Sequence, residues 1–247
     1  MMKPPDSNKA ISHQDVKRFY DTEYYRKGQK ESRLPWHMRV IADRLGALEG
    51  CHVLDVACGN GEWLAELASR GARVAGMDIS TRALEVCAAR LPQAELKNGV
   101  AEALPFDNAR FDLVTCLGSL EHFLDQPKAL EEMRRVAKPD TRFLILVPNA
   151  GFLTRRLGLY SGTGQAAIRE TVHSIAEWRA LLADAGLAVS AIWRDLHPLS
   201  LNWIARGAAR HWPIRAAQAA ALAVWPVGWQ YQVYFFCHTG SEPPQAT

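Results

Sequence analysis

The spacing of apolar positions along the chain changes near residue 50. Before it, residues 13–25 carry aromatic side chains on one helical side, and residues 37–48 repeat apolar positions at intervals of three and four. Both stretches are predicted to be helices, the second of them stopped by Gly50. After it, short apolar runs alternate with helical segments of about ten residues, a spacing typical of βαβ units.

This alternation predicts an α/β fold with a doubly wound, mostly parallel seven-stranded sheet and helices on both faces. The predicted strands are 52–57, 73–78, 94–97, 111–116, 143–147, 187–196 and 230–239, and the helices between them are 62–69, 81–90, 127–136 and 175–185. The predicted organisation is a tail and helical cap (1–36), a core (37–197), a Trp/Ala-rich helical insertion (198–229), and the last strand with a tail (230–247). We expect residues 1–12 to be disordered and 151–165 to form a loop-rich link.

Composition excludes several classes of protein. The net charge of +3 is small and the basic residues are scattered, which argues against a nucleic-acid partner. The five cysteines include no CxxC pair, so reduced thiols in a cytoplasmic protein are expected. Neither a secretory signal nor an apolar stretch of about 18 residues is present.

A nucleotide site is predicted where the first strand ends. That strand runs into Gly59-Asn60-Gly61 and then a helix, whose first N–H groups and positive dipole end suit a polar ligand. Asp78 closes the second strand, where a carboxylate can accept hydrogen bonds from ribose hydroxyls. Leu64 stands where a dinucleotide motif places its third glycine, which disfavours a pyrophosphate ligand.

Several motifs together resemble those of class I S-adenosylmethionine-dependent methyltransferases, in the small-molecule branch that includes quinone-biosynthesis enzymes. They are VLDVACGNG (53–61), GMDIS (76–80), GVAEALPF (99–106), FDLV (111–114), LEHF (120–123) and LVPN (146–149). The resemblance covers about residues 37–195 and implies S-adenosylmethionine as cofactor, a Rossmann-like methyltransferase fold and a soluble enzyme. Val100 departs from the family pattern, which often has an acid there, so backbone groups are expected to recognise adenine.

The resemblance also implies a set of cofactor-binding residues. Arg39 is a candidate partner of the methionine carboxylate, or else an exposed helix arginine, and Tyr25 either covers the cofactor or packs its own helix. The full expected set is Asp55, Ala57, Cys58, Gly59, Asn60, Gly61, Asp78, Ile79, Val100, Ala101, Glu102, Leu117, Tyr25 and Arg39.

Methyl transfer needs in-line positioning, a dry pocket and a deprotonated nucleophile, for which a histidine base is suited. His122, just past the fourth strand, and His173, after the loop-rich link, are the candidate catalytic residues. Packing or cofactor contact is the alternative for His122, and a surface position the alternative for His173. His197 beside Asp195 is a third candidate, and no metal is expected although Glu121, His122 and His173 could together bind one.

The insertion 198–229 holds four tryptophans and three arginines but no acid. A lid over an apolar or aromatic acceptor, a contact with a membrane surface, and extra core or a homodimer contact all remain open for it. The expected function is methyl transfer to a small-molecule acceptor, with an oxygen nucleophile of a phenol, quinone precursor, sugar or secondary metabolite. The alternative is a non-catalytic S-adenosylmethionine-binding regulatory or scaffold protein.

Overall fold

Seven strands form one sheet in the order β3-β2-β1-β4-β5-β7-β6 in the computed structural model, which describes residues 11–25, 34–156, 170–205 and 209–240. The strands are β1 His52–Val56, β2 Arg73–Asp78, β3 Glu95–Asn98, β4 Phe111–Leu117, β5 Ala137–Pro148, β6 Leu187–Arg194 and β7 Gln232–Thr239. β1 to β5 pair in parallel, whereas β7 runs antiparallel to both β5 and β6. The predicted doubly wound, mostly parallel sheet is therefore confirmed.

Nine α-helices flank the strands in the described part of the chain. They are α1 His13–Phe19, α2 Trp36–Arg44, α3 Glu62–Ser69, α4 Thr81–Arg90, α5 Gln126–Val136, α6 Leu153–Arg156, α7 Ile175–Asp184, α8 Leu201–Ile204 and α9 Trp212–Val224. A π-helical turn, Tyr20–Tyr24, continues α1. Side-chain caps fix the starts of the helices that follow strands: Ser80 accepts from the Ala83 N–H at α4, and Asp125 accepts from the Lys128 N–H at α5.

Both faces of the sheet are covered. Met133 of α5 and Trp178 of α7 are fully buried in the cluster on one face. Ile41 of α2 and Trp63 of α3 belong to the cluster on the other. Because the sheet is buried on both faces, the sequences of its central strands are continuous apolar runs.

Two predicted boundaries differ from the structure by more than two residues. The helix predicted at 37–48 ends at Arg44, since Gly46, with φ +74°, turns the backbone out of the helix before Gly50. The fifth strand begins at Ala137 rather than 143, directly after α5. Residues 1–10 and 157–165, parts of the predicted tail and link, lie outside the described residues.

In the described residues, none of the helices is long and apolar enough to cross a membrane. All five cysteines are free, as expected for reduced thiols.

Candidate active site

A cavity of about 220 Å³ lies between the carboxyl ends of β1, β2 and β4 and the aromatic segment of α1 and the π-helical turn. Carboxyl ends of parallel strands are where open α/β sheets bind ligands. Ten of the predicted cofactor residues line this cavity: Tyr25, Ala57, Cys58, Gly59, Asp78, Ile79, Val100, Ala101, Glu102 and Leu117; His122 lines it too.

Asp78 is the buried acidic group of this cavity, with 5% of its surface exposed. One carboxylate oxygen accepts the Gly59 N–H at 2.8 Å and the other accepts the Ser80 N–H at 2.8 Å. Burial raises the pKa of Asp78, although these two N–H groups oppose the effect. Each oxygen keeps a further lone pair for a ligand hydroxyl.

The turn after β1 is built on left-handed backbone. Ala57 (φ +63°), Gly59 (φ +53°) and Gly61 (φ +73°) all have positive φ. A Cβ on Gly61 would overlap the Cys87 sulfur of α4. Gly61 is therefore required for the packing of the turn against α4, and it does not line the cavity.

Tyr25, which follows the π-helical turn, covers the glycine turn after β1. The Tyr25 hydroxyl lies 2.9 Å from the point that a Cβ on Gly59 would occupy, and Gly59 has φ +53°, so a side chain there would be strained and would push the hydroxyl aside. Lys17 Nζ binds Asp21 (2.8 Å), the Ile79 carbonyl (3.2 Å) and Thr81 (2.6 Å), which ties α1 to the loop after β2. The Ser80 hydroxyl donates to the other Asp21 oxygen at 2.6 Å. Burial alone would raise the pKa of Asp21, but these bonds lower it overall.

Glu102 closes the cavity on the side of Val100 and Ala101. Its Oε1 accepts the Leu124 N–H at 2.9 Å, and its Oε2 lies 3.3 Å from His13 Nε2. Glu102 therefore joins α1 to the loop after β4, and its carboxylate is already engaged by groups of the protein.

Four of the predicted cofactor residues are not among those lining the cavity. Gly61 and Asn60 belong to the turn, and Arg39 is exposed on α2. Asp55 is buried beneath the turn, where its carboxylate accepts from the Thr115 hydroxyl at 2.6 Å. Burial raises the pKa of Asp55 to about 7, more than the Thr115 bond lowers it.

A second cavity, of about 370 Å³, adjoins the first. His122, Phe123 and Leu124 line both cavities, and His173 lines the second. The structure therefore brings the two predicted catalytic histidines to one cavity, and His122 stands at its border with the other.

Gln126 orients the His173 ring. Its side-chain nitrogen lies 3.1 Å from the Leu120 carbonyl and 3.2 Å from the Thr171 carbonyl, so it is the donor end of the amide. The amide oxygen, 2.8 Å from His173 Nε2, must then accept a proton from that nitrogen. In the neutral ring this assigns the proton to Nε2 and leaves Nδ1 as the acceptor.

Glu121 precedes His122 but points into the protein, with 4% of its surface exposed. Its Oε2 has no hydrogen-bond partner among the described residues, and burial raises the pKa of this carboxyl to about 8. No group of three or more histidine, cysteine or acidic side chains in the described residues could hold a metal ion. Glu121, His122 and His173 are therefore not grouped in a way that could bind a metal ion.

His197, the third predicted base, lies away from both cavities. Its ring centroid is 5.2 Å from that of His37, which is buried. Burial and the nearby His197 lower the pKa of His37 to about 4.

Comparison with known proteins agrees with this arrangement. A family described as a methyltransferase domain matches residues 54–145. The ubiquinone biosynthesis O-methyltransferase of Alkalilimnicola ehrlichii is 42% identical over 112 residues, which are 42% of this chain and 44% of that protein. The uncharacterized protein YafE of Escherichia coli K12 is 33% identical over 144 residues, 54% of this chain and 68% of that protein. The chain belongs to the class I S-adenosylmethionine-dependent methyltransferases.

A solved methyltransferase shares the fold. The 1,6-didemethyltoxoflavin-N1-methyltransferase of Burkholderia thailandensis, solved with bound 1,6-didemethyltoxoflavin and S-adenosylhomocysteine, superposes with a TM-score of 0.63 at 17% identity, covering 96% of this chain and 94% of its own. The matched parts of the ubiquinone and menaquinone relatives are a little under half of their length, so the chain spans about half of those proteins. S-adenosylmethionine is the cofactor of this family.

The cavity of this methyltransferase fits that cofactor by two observations: a buried carboxylate at the end of β2, and a glycine turn whose left-handed Gly59 presents its backbone to the cavity. Residues that the sequence did not predict complete the site. His13, Lys17 and Asp21 attach the cap, and Gln126 fixes a histidine ring. Only the helical spacing of Lys17 and Asp21 gave any signal, as an i, i+4 ion pair.

Proposed function

We propose that this chain transfers a methyl group from S-adenosylmethionine to an oxygen nucleophile of a small, apolar or aromatic acceptor. The observation that carries the proposal is the pair of adjoining cavities with His122 on their shared border. One cavity has the polar groups that suit a nucleoside, and the other has a histidine pair among apolar side chains. When bound, the cofactor supplies an electrophilic methyl group on a sulfonium.

Within the first cavity, Asp78 would accept hydrogen bonds from the ribose hydroxyls, because its two oxygens are fixed by the Gly59 and Ser80 N–H groups. Ile79 and the backbone of Val100 and Ala101 would hold the adenine. Glu102 would act indirectly, since both of its oxygens already bind His13 and the loop after β4.

His122 would act as the general base. Its position on the border places it beside both the methyl donor and the acceptor, so it can take the proton of a hydroxyl as the oxygen attacks. A positioned general base contributes about 10²- to 10⁴-fold to such a step.

His173 would bind and orient the acceptor hydroxyl through Nδ1, the nitrogen that Gln126 leaves without a proton. Phe123, Leu124 and Leu181 supply apolar surface around it, which suits a phenol or quinone precursor more than a sugar. The relative from Alkalilimnicola ehrlichii is named for O-methylation in ubiquinone biosynthesis, which supports the same class of acceptor.

Two measurements test the proposal. Isothermal titration calorimetry should show S-adenosylhomocysteine binding, and transfer of a labelled methyl group should occur to catechols and hydroxylated benzoquinone precursors but not to amines of the same shape. His122→Ala should lower kcat at least about 100-fold and leave the Kd of S-adenosylhomocysteine within threefold. The matched control is His52→Ala, at the start of β1 on the opposite edge of the sheet, which should leave kcat unchanged. Transfer to amines with no transfer to any phenol, or a His122→Ala enzyme at wild-type rate, would refute the assignment.

A further inference from the structure

Helix α9 carries apolar side chains on its solvent side. Ile214 and Val224 are 62% and 82% exposed, whereas Ala219 on the opposite side is buried. With Ala217 and Ala221 they follow the spacing i, i+3, i+7, i+10, which places all four on one stripe of the helix. An ordinary surface helix presents polar residues on this side, whereas here no segment in the described part of the chain covers Ile214 or Val224.

Three more exposed apolar side chains lie in the same insertion. Leu201 of α8 is 80% exposed, Trp212 at the start of α9 is 44% exposed, and Trp229, in the 3-10 turn that follows α9, is 39% exposed. Arg215 holds α8 against α9, because its guanidinium donates to the Trp203 carbonyl at 2.8 Å and lies over the Trp203 ring. We call Leu201, Trp212, Ile214, Val224 and Trp229 the apolar surface.

Arg194 fixes this surface to the sheet. It ends β6, and its guanidinium donates to the Leu222 carbonyl at 3.1 Å and the Trp225 carbonyl at 2.6 Å. Carbonyls at the end of a helix lack partners within it, so the cation both caps α9 and opposes its dipole. The apolar surface is therefore held at the carboxyl edge of the sheet, the edge that also bears the two cavities.

Charge distinguishes this segment from the rest of the chain. Residues 198–229 contain three arginines and neither aspartate nor glutamate, while the other 215 residues hold 26 basic and 26 acidic side chains. The whole formal charge of +3 thus lies in the insertion, next to exposed tryptophans and aliphatic side chains.

We propose that the apolar surface binds peripherally to a lipid bilayer that contains anionic headgroups. Tryptophan, isoleucine and leucine would enter the boundary between headgroups and acyl chains, and the exposed Arg210 would meet the phosphates. A second copy of this chain fits less well, because a two-fold contact brings the arginines of one copy against those of the other with no acid between them. At 13 residues α9 lies along the interface and is too short to span it.

Co-sedimentation of the full chain with vesicles tests the proposal. We expect binding to vesicles of phosphatidylcholine with 30% phosphatidylglycerol, weaker binding to pure phosphatidylcholine, and a blue shift of tryptophan fluorescence in the bound state. Ile214→Glu should weaken partitioning at least about tenfold, and Arg210→Ala about fivefold. The matched control is Ala180→Glu, which adds the same charge at an exposed position of α7 and should bind like the wild type.

Two further measurements, of S-adenosylhomocysteine binding and of the oligomeric state in solution, keep the outcomes separate. S-adenosylhomocysteine binding by each variant shows that it is folded, since the apolar surface lies outside the first cavity. Failure of the methyltransferase proposal would leave vesicle binding unaffected. Equal binding of wild type and Ile214→Glu to the anionic vesicles, or a stable dimer in solution that Ile214→Glu dissociates with no vesicle binding, would overturn the proposal.

Discussion

Replacement of Asp78 by asparagine separates the ribose role of this carboxylate from its structural one. In the structure each carboxylate oxygen accepts one backbone N–H at 2.8 Å, from Gly59 or Ser80, and has one lone pair left for a ribose hydroxyl. Asparagine keeps the shape but removes the charge and turns one acceptor into a donor, which would face an N–H group.

Hydrogen bonds to charged groups contribute about 1.5–3 kcal/mol each. Loss of one ribose bond and weakening of the other should therefore cost about 3 kcal/mol, or roughly 150-fold in the Kd of S-adenosylhomocysteine. Isothermal titration calorimetry at pH 7.5 measures this directly, with thermal unfolding recorded in parallel.

Asp112→Asn is the matched control. Asp112 also accepts a backbone N–H, that of His52 at 2.8 Å, and binds Lys138 Nζ at 2.7 Å, but it lies near the amino edge of the sheet. Its replacement should lower stability without changing the Kd. If Asp78→Asn bound S-adenosylhomocysteine within threefold of the wild type, Asp78 would not hold the ribose.

Three further changes test other parts of the site. Gln126→Glu should shift the acid limb of the pH profile of kcat to higher pH, because a carboxylate favours protonated His173; an unmoved limb would remove Gln126 as a positioning residue. Gly61→Ala should lower the free energy of unfolding by about 2 kcal/mol or more in urea, and by less in a Cys87→Ala background; equal losses in both backgrounds would contradict the overlap with Cys87. The pKa of Glu121 is raised to about 8 in the folded protein, so the folded state holds this proton more tightly than the unfolded state does. The free energy of unfolding therefore falls as the pH rises from about 4.5 to 8. Glu121→Gln should then raise Tm by at least about 5 °C at pH 8.5 and little at pH 5; an equal gain at both would contradict this.

The sequence predicted the sheet because hydrophobic period and chain order together determine which strands are buried and parallel. It predicted the position of Asp78 for the same reason, since a residue that ends a strand must reach the carboxyl edge. It did not distinguish residues that line the cavity from those beneath it. Asp55 and Gly61 belong to the same motif as Gly59, yet one binds Thr115 and the other packs on Cys87.

Contacts between distant segments were beyond prediction. The bond from Gln126 to His173 joins residues 47 positions apart, and neither has a neighbour in the sequence that indicates the other. The contact of Glu102 with His13 likewise depends on how α1 folds over the sheet. The insertion was predicted as helical with its role left open, because composition alone does not show which side of α9 meets solvent.

The close approach of Tyr25 to Gly59 has a kinetic consequence. The tyrosine hydroxyl fills the space directly above the turn, so a ligand that lies on that turn has to displace it. Release of the segment also requires breaking the bonds of Lys17 and Asp21 to the loop after β2. We therefore expect the observed association rate of S-adenosylhomocysteine to level off at high ligand concentration, at the rate with which this segment opens, and Lys17→Ala to raise that plateau.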